Sequence, residues 1–178
     1  MAKKIQKEEI INRQKLLNLL IFLIKFNLLS IPLYFIITYD LSLPQFQTFF
    51  ATLTSLLLRA IGYNTLQKDF TLSILHAGKL NQIEISWDCT GWKSLYALFA
   101  LVIATPAKPI NKAKFLVFAL PFLFLINLVR IISTIIFSLS YGFEYFDIIH
   151  NFLWKWSILL FIPLFWLMWA KSVIFSKK

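Results

Sequence analysis

A lone cysteine, a histidine at the start of an apolar run and an arginine set deep inside another are the residues of this chain least easily explained by packing. Cys89 stands in the stretch Asp88-Cys89-Thr90-Gly91-Trp92-Lys93-Ser94. Arg130 lies within the apolar run 115–139, with Asn127 one turn earlier on the same helical face, and His150 precedes the run 152–173. A thiol, an imidazole and a fixed cation are the parts of an acyl-transfer centre. The thiolate attacks a carbonyl, the imidazole moves the proton at the leaving amine, and the guanidinium donates to the oxyanion or holds the substrate backbone. Each residue also has a plainer reading: a small buried hydrophobe for Cys89, snorkelling to the headgroups for Arg130, and a merely interfacial ring for His150. His76 reads as a solvated turn residue, and Lys25 and Lys155, inside apolar runs, are assigned no role.

The neighbours of Cys89 bear on its reactivity. With Asp88 as N-cap, Cys89 is expected in the first turn of a helix, where the dipole and the unpaired amides favour a thiolate. Thr90 and Gly91 keep that turn small and let backbone approach closely. Lys93, one turn on, adds positive charge, whereas the Asp88 carboxylate works against the thiolate. Two histidines and one cysteine, far apart and without HExxH spacing, make no metal site. There is no Gly-rich phosphate loop, and one cysteine excludes an intramolecular disulfide exchanger. No cofactor is expected.

The elements that must position these residues belong to a membrane. Of the 178 residues 59% are hydrophobic and only 15% charged, against about a quarter charged in soluble domains, and the mean hydropathy is +0.73. The net charge of +10 does not point to nucleic acid, because the basic residues flank apolar runs instead of forming a patch interleaved with aromatics. About 20 apolar residues cross a bilayer as a helix. Residues 16–39, 89–106, 115–139 and 152–173 are therefore expected as spans, and the first is too long for a signal-peptide core. Lysines and arginines gather in the arm 1–15, in the link 108–114 and at the C-terminus, so both termini are expected in the cytoplasm of a multi-pass plasma-membrane protein.

The fold class expected is an all-α polytopic bundle forming one transmembrane domain over 16–178. Residues 45–60 read as an interfacial helix, with Gln45, Thr48, Thr52, Ser55 and Arg59 as a polar stripe, or alternatively as a fifth span. Residues 62–88 read as a small extracytoplasmic β-hairpin turning at His76-Ala77-Gly78-Lys79. On this topology Cys89, Arg130 (roughly 13 Å below the outer end of its helix) and His150 all fall on the extracytoplasmic side.

At these residues the sequence resembles the exosortase/archaeosortase family of integral-membrane transpeptidases. The likeness is carried by Cys89-Thr90-Gly91 with Ser94, by Pro121, Asn127 and Arg130, and by His150, in that order along the chain from about residue 45 onward. The resemblance implies a thiol protease and transpeptidase acting on secreted proteins that end in a tripartite sorting signal: a short motif, one transmembrane helix and a basic tail. It implies Cys89 as nucleophile, Arg130 as oxyanion or thioester stabiliser and His150 as general acid/base. Asp88, Thr90, Gly91, Ser94 and Asn127 would then support the site or bind substrate. The acceptor would be an amine, with a membrane lipid as one candidate. The chain is shorter than many members of that family. Two other classes remain open at this point: a non-catalytic scaffold or subunit of a secretion or transport complex, and an intramembrane lipid acyltransferase.

Overall fold

The structure, a computed structural model, describes residues 2–142 and 160–175. The chain is mostly helical, in the order α1 (Ala2–Thr38), α2 (Pro44–Ala60), β1 (Asn64–Lys68), β2 (Thr71–His76), β3 (Lys79–Glu84), a 3-10 turn (Trp87–Thr90), α3 (Trp92–Ala104), α4 (Pro109–Tyr141) and α5 (Ile162–Phe175). Two stretches are long and apolar enough to cross a bilayer, Asn12–Thr38 and Pro109–Tyr141, and Trp92–Ala104 and Ile162–Val173 are shorter apolar helices. The start of the expected last span, with His150 and Lys155, lies outside the described residues.

Two cores divide the molecule along α4. One gathers α3, the N-terminal half of α4 and α5 through Leu98, Val102, Ala119, Leu123, Ile162 and Trp169. Aromatic stacking knits this core together: Phe115 on Trp169 (4.9 Å between centroids), Phe122 on Phe165 (5.1 Å) and Phe22 of α1 on Trp166 (5.5 Å). Tyr96 Oη donates to the Leu29 carbonyl (2.7 Å) and joins α3 to α1. The exposed face of α1, from Leu16 to Ile37, is largely apolar, as a lipid-facing helix requires. The second core joins α2, the sheet and the C-terminal half of α4 through Phe50, Leu58, Leu72, Ile74, Ile83, Leu128, Ile131 and Ile135.

The segment 62–88 is a three-stranded antiparallel sheet in the order β1-β2-β3, where the sequence pattern predicted a two-stranded hairpin. The β2–β3 turn lies where expected. Ala77 (φ 49°) and Gly78 (φ 75°) both take positive φ, as the tight turn between His76 and Lys79 requires. β1 escapes the hydrophobic pattern because its apolar residue, Leu66, points outward, while its inward residue Thr65 is polar and buried. That inward face meets the polar stripe of α2. Ser55 Oγ and Thr65 Oγ1 share a hydrogen bond (2.9 Å), and Arg59 donates to the Thr65 carbonyl through Nε (3.0 Å) and Nη2 (2.6 Å). Gln67 Nε2 donates to Thr52 Oγ1 (3.0 Å). Much of the polar stripe therefore packs on β1, since buried hydroxyls and guanidinium groups need partners. Phe49, Leu56, Leu57 and Ile61 are exposed instead.

Candidate active site

The chain leaves β3 at Glu84 and turns sharply before α3. Gln47 Nε2 of α2 donates to the Ile85 carbonyl (3.2 Å), which ties the exit of the strand to α2. Ser86 caps the 3-10 turn, its hydroxyl oxygen accepting from the Cys89 amide (3.4 Å) and its hydroxyl donating to Cys89 Sγ (3.1 Å). Thr90 is fully buried and its hydroxyl donates to the Trp87 carbonyl (2.7 Å). Gly91 then adopts φ 72° and serves as the N-cap of α3.

This corrects two expectations. Cys89 is not in the first turn of the long helix, because the left-handed Gly91 separates the 3-10 turn from α3. Asp88 is not the cap, because Ser86, three residues before Cys89, takes that place. The Asp88 carboxylate instead pairs with Lys93 Nζ (2.7 Å), both at least partly exposed. Each largely satisfies the charge of the other, so neither acts on the thiol as an isolated charge.

α4 supplies the other side. Asn127 Nδ2 donates to the Cys89 carbonyl (3.0 Å), and Arg130 Nη2 donates to the same oxygen (3.0 Å). Both side chains come from one face of α4, a turn apart, so a single rigid helix presents two donors to one acceptor. Asn127 reaches that oxygen only because residue 91 has no side chain. A Cβ there would lie 2.7 Å from Asn127 Cγ, well inside contact distance. Gly91 is thus required both for its backbone conformation and for the approach of α4.

Arg130 is only 6% exposed. Thr134 and Ser138 continue its face at steps of four and are buried with it, each hydroxyl donating to the carbonyl one turn earlier: Thr134 to Arg130 (2.9 Å) and Ser138 to Thr134 (2.8 Å). Cys89 is half-buried and opens on a small cleft between the end of β3 and α4, lined by Ile85, Ile131 and Thr134. On the other side of the Cys89 turn, Ser94 lines a second small cavity with Asn127, Arg130 and Ile162 of α5. Trp87 stacks on Trp92 (5.2 Å, 21°), so the turn carrying the thiol is bracketed by two indoles.

The structure thus brings Cys89, Gly91, Asn127 and Arg130 into direct contact, with Ser94 beside them and Thr90 buried beneath. His150 lies outside the described residues. Ser86 joins this set although its residue type alone does not single it out. Its signal is the Ser-x-x-Cys spacing, which places a hydroxyl where a cap and a thiol partner coincide. Among the described residues no group of His, Cys, Asp and Glu is arranged to hold a metal.

The sequence profile of the transmembrane exosortases matches residues 12–170, most of the chain. The chain belongs to the transmembrane exosortase family. No curated protein and no solved structure matches it. The matched residues span both cores, from α1 through α2, the sheet and the Cys89 turn to α4 and most of α5. Its membership and its apolar helices make it a membrane protein.

Proposed function

We propose that this exosortase is a cysteine transpeptidase whose centre is Cys89, Arg130 and His150, facing the extracytoplasmic side of the plasma membrane with both termini inside. The observation that carries the reading is the convergence of Asn127 and Arg130, 38 and 41 residues along the chain, on the carbonyl of the one residue that can be a thiolate nucleophile. Two charge-bearing or amide donors on one backbone oxygen hold the Cys89 turn rigidly, and Ser86 donates to its sulfur.

In the reaction, the Cys89 thiol gives its proton to the His150 imidazole, its Sγ bonds to the scissile carbonyl carbon, and the carbonyl π electrons move to oxygen. A guanidinium has five N–H donors, enough to hold the Cys89 carbonyl and the new oxyanion together. Collapse breaks the C–N bond, and the departing amine takes its proton from the His150 imidazolium. The thioester is then attacked by an acceptor amine, which gives its proton to His150 as Sγ leaves. The substrate class is secreted proteins ending in a motif, one transmembrane helix and a basic tail. The tail halts the helix at the cytoplasmic face and so sets the motif at the level of Cys89. A lipid amine is the proposed acceptor.

The experiment is co-expression of a tailed substrate with the wild type and with Cys89→Ala. Processing, read as a mobility shift, and a trapped thioester adduct are both expected to disappear in the variant. Processing that persists with Cys89→Ala on a substrate the wild type demonstrably handles would remove the thiol from the chemistry and leave the scaffold reading in its place.

A further inference from the structure

At the opposite end of α4 from Cys89, a cavity of about 970 Å³ opens between α1, the α3–α4 link, α4 and α5. Lys25, Lys108, Lys112 and Lys114 line it, and among the described residues no acidic one does. Lys112 donates to the Ile103 carbonyl (2.7 Å) and so closes the C-terminus of α3. The other three form no ion pair with any described carboxylate; the one such pair among the described residues, Asp88–Lys93, is at the far end of the bundle. Four like charges around one cavity repel each other, and an anion there lowers the energy of all of them.

A second cavity, of about 380 Å³, adjoins the first and shares Pro106 and Val173 with it. Its wall is mainly apolar and includes Leu19, Phe22 and Trp166. The Trp166 indole N–H is already used on Thr105 Oγ1 (2.8 Å), so that side chain presents its ring and not a donor. Exposed apolar surface continues on α4 through Ile110, Val117 and Phe118.

We propose that these joined cavities bind an anionic membrane phospholipid, with its phosphate among Lys25, Lys108 and Lys114 and an acyl chain along Leu19, Phe22 and Trp166. A soluble phosphate would use the lysines and leave the apolar slot empty, whereas a zwitterionic lipid would bring its own cation against them. Basic pockets between membrane helices are the usual receptors for anionic headgroups. The site does not involve Cys89, so it stands or falls separately from the transpeptidase reading.

The test uses the full-length protein in nanodiscs or zwitterionic detergent and measures binding of phosphatidylglycerol and of phosphatidylcholine by native mass spectrometry. Phosphatidylglycerol is expected to be retained at least about tenfold more strongly. Lys25→Gln with Lys108→Gln and Lys114→Gln should abolish that preference, while Lys68→Gln with Lys79→Gln, on the sheet, leaves it intact. Millimolar inorganic phosphate should not displace the lipid. Equal retention of the two lipids by the wild type overturns the proposal without recourse to any variant. So does an equal loss in the sheet variant, which would mark a general charge effect. Full displacement by inorganic phosphate would assign the cavity to a soluble anion instead.

Discussion

Arg130 and Lys112 sit on one helix, about 27 Å apart by the rise of α4, and the molecule treats the two cations in opposite ways. Arg130 is buried, shares the Cys89 carbonyl with Asn127 and continues into a row of buried hydroxyls. Lys112 also holds a backbone carbonyl, but it does so on the rim of an open cavity in the company of three more lysines. The first environment removes water from a cation and replaces it with fixed dipoles, which is how charge is made ready for a developing oxyanion. The second leaves like charges together with access from outside, which suits capture of an anion that arrives by itself. One end of α4 is arranged to position, the other to attract.

That contrast is open to attack at several points. The largest effect is expected at Arg130. On the proposed role of Arg130 at the oxyanion, Arg130→Met should lower substrate processing by about 10²–10³-fold, the usual loss of one oxyanion donor. Arg130→Lys should recover little of it, because a point charge cannot replace a planar fork. Full activity with lysine would mean that charge alone matters at this end too, and the contrast with the lysine cavity would dissolve.

Gly91 comes next. Gly91→Ala forces a left-handed conformation on a residue with a side chain, costing about 1–2 kcal/mol, and drives Cβ into Asn127. Asn127→Ala removes that obstacle while losing one donor to the Cys89 carbonyl. The double variant should therefore be more stable than the sum of the two single losses, with a coupling of about 1 kcal/mol in thermal unfolding. Strict additivity would show that α4 is not wedged against the turn.

Thr65 tests whether α2 and the sheet move as one support for the Cys89 turn. Thr65→Val leaves Ser55 Oγ without its hydroxyl partner and Arg59 Nε with the residue-65 carbonyl alone, at a cost of about 1–2 kcal/mol. Hydrogen exchange should rise together in α2 and β1, and exchange confined to β1 would contradict a shared unit.

The smallest effect belongs to the lysine end. Without anionic lipid, Lys108→Gln with Lys114→Gln should change stability by no more than about 0.5 kcal/mol. Lys112→Met should cost about 1 kcal/mol, since the Ile103 carbonyl loses its donor. A large loss in the double variant would make those lysines structural instead of receptive.

Much of the site could be read from residue order. Asn127 and Arg130, three apart on an apolar run, must share a helical face, and a cation in such a run must find a partner or a task. The hairpin turn was legible too, since Ala77-Gly78 between alternating strands leaves few alternatives. β1 was hidden because sequence patterns assume that apolar residues point inward, and here Thr65 points inward to meet α2. The break at Gly91 was hidden because one glycine after a cysteine is equally compatible with a continuing helix. The lysine cavity was hidden because Lys25 is 83 residues from Lys108 in the chain, and only the packing of α1 against α3 brings them to one opening.

Composition and charge placement by themselves determined that this chain belongs in a membrane and which of its polar residues were anomalous there, because the cost of moving an unpaired polar group from water into lipid is set by its residue type. Only the tertiary structure decided what the anomalies touch. The same Arg130 could have snorkelled to the headgroups; it holds the Cys89 carbonyl because Gly91 has no side chain and lets α4 come close enough to reach it.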